Sequence, residues 1–229
     1  MTPNPTRLDG LRILLTQADV FMGPALQRVL GAAGAEVIAD RRDMSEPDAP
    51  ALAVADAGPI DVLVAHLAVP APSTAAQEVT DEEWRSMFAA LVDPLPRLCR
   101  AVLPAMLARG RGKIILIGSA AALRGQRRTS SYSAARGAQL AYVQALGVEV
   151  AAKGIQVNAI AQNLVDNPTY FPPQVQSDPR FKERLRREVP LGRLVSADED
   201  AWFVAHLCSP AADCFVGQVF PLCGGWVTR

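Results

Sequence analysis

The chain has 229 residues, half of them hydrophobic, and its 23 lysines and arginines balance 23 aspartates and glutamates. That length buries a full core and that composition excludes a disordered chain. A formal net charge of zero leaves no electrostatic footprint for nucleic acid or an anionic membrane, and the apolar runs are interrupted well short of a bilayer span.

Residues 1–9 carry two prolines and read as a loose tail. Residues 11–16 (LRILLT) form a short apolar run, as in a strand buried on both faces. Residues 23–33 (GPALQRVLGAA) repeat apolar positions at helical spacing and stop at Gly34, a favourable C-cap residue. A second strand follows at 35–39 (AEVIA). Strand, helix and strand in about thirty residues make a βαβ unit, which implies a parallel sheet with right-handed crossovers. Further strands are expected at 61–65, 113–117, 155–160 and 218–222. Helices are expected at 81–108, broken by Pro94 and Pro96, and at 131–153, 180–188 and 198–208, with a loop over 161–173. Only about twenty residues separate Asp40 from Asp61, room for one helix and at most a stub of strand. The sum is an α/β protein: one Rossmann-like, doubly wound domain over 1–229, its parallel sheet flanked by helices.

The four cysteines, Cys99, Cys208, Cys214 and Cys223, make no C-x-x-C pair, and only two histidines accompany them, so no metal site is expected. No signal-peptide pattern opens the chain, and reduced thiols in a cytoplasmic protein are expected. His66 and His206 lack triad-like partners and read as structural. The arginines at 41–42, 127–128 and 184–187 read as solvated faces.

One constellation carries chemistry. Ser119 follows the strand at 113–117, on the rim where doubly wound sheets bind ligands. Tyr132 and Arg136 lie four apart on the next helix, hence one turn apart on one face. A tyrosine hydroxyl is a poor base at neutral pH, but a guanidinium that keeps its proton favours the ionised form. At about 4 Å and an effective dielectric near 20 such a pair is worth about 4 kcal/mol before desolvation. A serine hydroxyl beside it can donate to a substrate oxygen. A Tyr and an Arg alone would read as a surface pair; the strand-end serine makes them a candidate site.

In spacing, these residues resemble the Ser, Tyr-x-x-x-Lys pattern of the short-chain dehydrogenases/reductases. The resemblance extends to Gly34-Ala35, Asp61-Val62-Leu63-Val64, Leu103-Pro104-x-Met106, Val157-Asn158-x-Ile160 and Gly224-Gly225. The cofactor motifs depart from that family. Its phosphate turn, T-G-x-x-x-G-x-G, is here Thr16-Gln17-Ala18-Asp19-Val20-Phe21-Met22-Gly23, and its N-N-A-G is Ala65-His66-Leu67-Ala68. Its helix asparagine is Asp93, its P-G is Gln162-Asn163, and its lysine is Arg136, while Asp40 keeps the acidic position that would bind an adenosine ribose. A retained tyrosine with an aromatic in the old phosphate turn is similar to the halohydrin dehalogenases, most of all their B-type branch. That resemblance implies Ser119, Tyr132 and Arg136 as the catalytic triad and no cofactor. It implies a halide or nucleophile site at Phe21, Gln162, Asn163, Leu164 and Val165, and a substrate pocket walled by Ala121, Tyr170 and Phe171. The implied reaction is closure of a vicinal haloalcohol to an epoxide with release of halide. In reverse, halide, azide, cyanide or nitrite would open an epoxide. A homo-oligomer, a tetramer by resemblance, is implied, while Trp226 is either core or part of a neighbouring subunit's pocket. Two other readings stand beside it: a divergent NAD(P)-dependent oxidoreductase, and a non-catalytic small-molecule sensor.

Overall fold

In the computed structural model, residues 6–228 are described. Six strands form one parallel sheet: β1 (Arg12–Leu15), β2 (Glu36–Ala39), β3 (Val62–His66), β4 (Gly112–Ser119), β5 (Ile155–Gln162) and β6 (Val219–Leu222). The order across the sheet is β2-β1-β3-β4-β5-β6, so the direction of winding reverses between β1 and β3. Ligand crevices of open α/β sheets lie at the carboxyl ends beside that reversal. β3 and β4 are buried along their whole length, because helices cover both faces.

Eight α-helices connect and cover the strands. They are α1 (Gly23–Ala32), α2 (Ala49–Ala57), α3 (Asp81–Leu91), α4 (Pro94–Arg109), α5 (Ser130–Val150), α6 (Pro173–Ser177), α7 (Pro179–Glu188) and α8 (Ala197–Cys208). Two apolar cores result. Leu98, Val102 and Met106 of α4 and Leu140 and Val143 of α5 fill one face, with Ala53 of α2. Leu26 and Leu30 of α1 and Ala201 and Val204 of α8 fill the other.

The break expected in the helical stretch at 81–108 falls between α3 and α4, where Pro94 opens α4 at a position whose N–H has no intrahelical partner anyway. The short segment between β2 and β3 holds α2 and no strand, leaving the half-buried β2 at the sheet edge. Two expectations need correction. Leu8 is fully buried and its N–H donates to Ala33 O at 3.0 Å, so the chain is anchored from there on; residues 1–5 of the expected tail lie outside the described residues. The expected loop over 161–173 is shorter, since β5 runs to Gln162 and α6 starts at Pro173. No described helix is long and apolar enough to cross a membrane.

Candidate functional site

Parallel register sets the rim of the crevice. His66 at the end of β3 lies opposite Ile117, and Ser119 at the end of β4 lies opposite Gln162. Ser119 Oγ accepts the Ala121 N–H at 3.2 Å, which leaves its own O–H proton free to donate elsewhere. Tyr132 projects from the first turn of α5, and the Arg136 guanidinium carbon lies 5.2 Å from its ring centroid.

Arg136 is an unusual cation. It is only 5% exposed, and Nη1 donates to Ile117 O at 3.2 Å and to Gln139 Oε1 at 3.0 Å. Gln139, fully buried, donates in turn to Leu91 O at 2.5 Å. No carboxylate pairs with the guanidinium among the described residues, and its buried Nε has no protein partner. A buried charge without a counter-ion costs several kcal/mol, so the site holds positive potential ready for an anion.

The turn from Thr16 to Gly23 forms the next wall. Gln17 and Phe21 have φ of 46° and 47°, a left-handed conformation that costs a side-chain-bearing residue about 1–2 kcal/mol. Gln17 Oε1 accepts the Ala68 N–H at 2.6 Å, which ties the turn to the segment after β3. Gln17 O accepts a hydrogen bond from His66 Nδ1 at 3.1 Å, which places a ring proton on Nδ1. Burial above all, with the Arg136 charge in support, pushes the His66 pKa down to about 4. The Phe21 ring packs against Tyr170 with centroids 5.5 Å apart. Gly23 is kept because a Cβ there would meet the Ala18 carbonyl carbon at 2.5 Å. Asp40 is already paired with Arg42 at 2.9 Å.

These walls enclose a cavity of about 650 Å³. Ser119, Tyr132 and Arg136 face it, as do Phe21 and all four residues from Gln162 to Val165. Tyr170 and Phe171 close the outer side: Tyr170 Oη accepts the Ala71 N–H at 2.8 Å, and Phe171 packs on Phe181. Ala121 is the exception. It is buried in the core and does not line the cavity, although its N–H donates to Ser119 Oγ. Trp226 lines this chain's own cavity, with the Arg124 guanidinium carbon over its ring, 4.5 Å from the centroid.

Four contributors escaped sequence reasoning. Gln139 could have been found, since it lies one turn beyond Arg136 on the face that Tyr132 also uses. Arg127 and Arg184 are exposed, as expected, and they also line the cavity. Asp200 carried no signal. It is fully buried, and the Gln162 side-chain amide reaches both of its oxygens at 2.7 Å. Burial without a cation pushes its pKa up to about 7, against the opposing effect of the Gln162 bond.

A family profile described as enoyl-(acyl carrier protein) reductase matches residues 8–227. The chain belongs to the short-chain dehydrogenase/reductase superfamily. Among curated superfamily members, it is 30% identical to the 2-keto-3-deoxy-L-fuconate dehydrogenase of Xanthomonas campestris, over 98% of this chain and 82% of that one. It is 31% identical to the galactitol 2-dehydrogenase (L-tagatose-forming) of Cereibacter sphaeroides, over 95% and 85%. Among solved structures, one named a dehalogenation enzyme superposes with a TM-score of 0.89 at 33% identity, over 96% of this chain and 99% of that one.

Proposed function

We propose that this protein closes vicinal haloalcohols to epoxides, releasing halide, and in reverse opens epoxides with small anions, using no nicotinamide cofactor. The observation that carries the reading is Phe21, a ring in the left-handed turn where a dinucleotide-binding relative needs glycine. A pyrophosphate requires close approach to that backbone, and the Gln17 and Phe21 side chains, with Phe21 against Tyr170, do not fit one. Arg136 without a counter-ion is the supporting observation.

In this reading Ser119 donates to the substrate oxygen, and Tyr132 is the base that takes the hydroxyl proton. The oxygen then attacks the neighbouring carbon, a C–O bond forms, and the C–halogen bond breaks with its electron pair leaving on the halide. The reaction is intramolecular, so holding oxygen and halogen in line is the larger part of the catalysis. Arg136 supplies positive potential beside Tyr132 and for the departing halide. The turn from Gln162 to Val165 and the Phe21 ring would enclose the halide.

The second reading, a nicotinamide-dependent oxidoreductase, is favoured by the names of most curated relatives, which are dehydrogenases and reductases. One experiment separates the two. Without cofactor, 1,3-dichloro-2-propanol should release chloride, and Tyr132→Phe should lower the rate about a hundredfold or more. Absence of chloride, or an undiminished rate in the variant, overturns the proposal. Saturable NADH or NADPH binding by fluorescence titration favours the oxidoreductase. We further propose a cytoplasmic homotetramer, to be measured by sedimentation, paired through α3, α4 and α5; Trp84 on α3 and Val148 on α5 are exposed apolar side chains on those helices.

A further inference from the structure

The charges around the cavity are lopsided in a chain whose overall charge balances. Four guanidinium groups, those of Arg124, Arg127, Arg136 and Arg184, face one carboxylate, that of Glu188. Glu188 is already committed, to Arg184 at 3.0 Å and Arg187 at 3.1 Å. His66 is neutral and offsets nothing. Arg136 is buried beside Tyr132, whereas the other three are exposed and line the cavity's solvent side.

Two of these arginines carry the argument. The exposed Arg124 places its guanidinium carbon over the buried Trp226 ring, 4.5 Å from the centroid, and donates Nη1 to Trp226 O at 2.7 Å, so two contacts hold the group before any ligand arrives. Neither contact neutralises its charge, and no acid pairs with it among the described residues. Arg127, three residues on in the same loop, has no hydrogen bond or ion pair among the described residues. A held guanidinium and an uncommitted one, three residues apart and both lining a 650 Å³ cavity, suit the two acceptor oxygens of a carboxylate.

Building on the dehalogenation reading, we infer that the preferred substrate is a haloalcohol or epoxide bearing a carboxylate, held at the mouth by Arg124 and Arg127. The reacting carbons then lie inward at Ser119 and Tyr132, and the halide leaves toward Arg136.

The test compares 4-chloro-3-hydroxybutanoate with its neutral near-isostere 4-chloro-3-hydroxybutanamide, reading chloride release at low ionic strength. Closure of the acid gives 3,4-epoxybutanoate, chloride and a proton. The expected result is a kcat/KM ratio of acid to amide of about tenfold or more. Arg127→Gln and Arg124→Gln should each shrink that ratio several-fold, mainly through KM. Chloride from both compounds at equal kcat/KM overturns this inference and leaves the dehalogenation reading standing. If no compound, 1,3-dichloro-2-propanol included, yields chloride, the dehalogenation reading fails. The inference is then decided by calorimetric binding of unreactive 3-hydroxybutanoate against 3-hydroxybutanamide. Preference for the acid that weakens in Arg127→Gln supports the carboxylate site, and equal or absent binding overturns it.

Discussion

Two buried side chains titrate against the usual order. Asp200 titrates near 7 where a free aspartate titrates near 3.8, and His66 near 4 where a free histidine titrates near 6.5. Between about pH 4 and 7 the folded Asp200 keeps a proton that the unfolded chain has lost, so its contribution to stability falls as pH rises. Between about pH 4 and 6.5 the folded His66 lacks a proton that the unfolded chain has gained, so its contribution rises with pH. Over the shared window the two slopes cancel. Asp200→Asn, which keeps an acceptor for Gln162, should expose the histidine slope: unfolding free energy from urea titrations should climb with pH from 4 to 6.5 by up to about 1.4 kcal/mol per unit. A variant profile as flat as the wild type contradicts this pairing of charges. None of it was legible in the sequence, because Asp200 in the first turn of a helix reads as an ordinary acid favouring the helix N-terminus. By contrast Ser119, Tyr132 and Arg136 were legible: a strand end and a four-residue helical spacing are one-dimensional patterns, and the fold brings both to one cavity. Ala121 misled because adjacency to Ser119 does not fix which way a residue faces once the strand passes into a helical turn.

At the scale of elements, two glycines of α1 make opposite predictions from the same substitution. Alanine ordinarily stabilises a helix over glycine by about 1 kcal/mol. Gly31 has open space where a Cβ would stand, so Gly31→Ala should raise Tm by a few degrees. Gly23, at the start of the helix, would drive its Cβ to 2.5 Å from the Ala18 backbone. Gly23→Ala should therefore lower stability by about 2 kcal/mol or more and shift the turn that carries Phe21. Calorimetric melts of the two variants check both signs. The six strands were legible because buried parallel strands are near-continuous apolar runs. α6 was not, since Pro172 and Pro173 read as loop, whereas Pro173 in fact occupies the first turn of that short helix. Nor could the pattern reveal that the loop after α5 and β5 is latched to the segment after β3 through Tyr170 and Ala71, a contact between residues far apart in sequence.

The whole molecule joins its strands at long range. Ile13 pairs with Val62, Val62 with Lys113 and Ala159 with Val219, each pair roughly fifty or more residues apart along the chain. The balanced net charge, legible from composition, concealed a cavity edged with arginine, because summed charge carries no information about where charges gather. The strand pairing has a kinetic consequence. Loop closure of that length must precede its reward, so refolding should occupy milliseconds to seconds or longer rather than microseconds. The cavity draws its walls from Phe21 near one end to Trp226 near the other, so its assembly waits on every one of those pairings. After a stopped-flow jump out of urea, helical circular dichroism should recover first, with ligand binding returning only in the slowest phase. Binding that returns ahead of the sheet would mean that the pocket forms as a local unit. The parallel register that aligns Ser119 with Gln162 should thus make the binding site the last part of the protein to form.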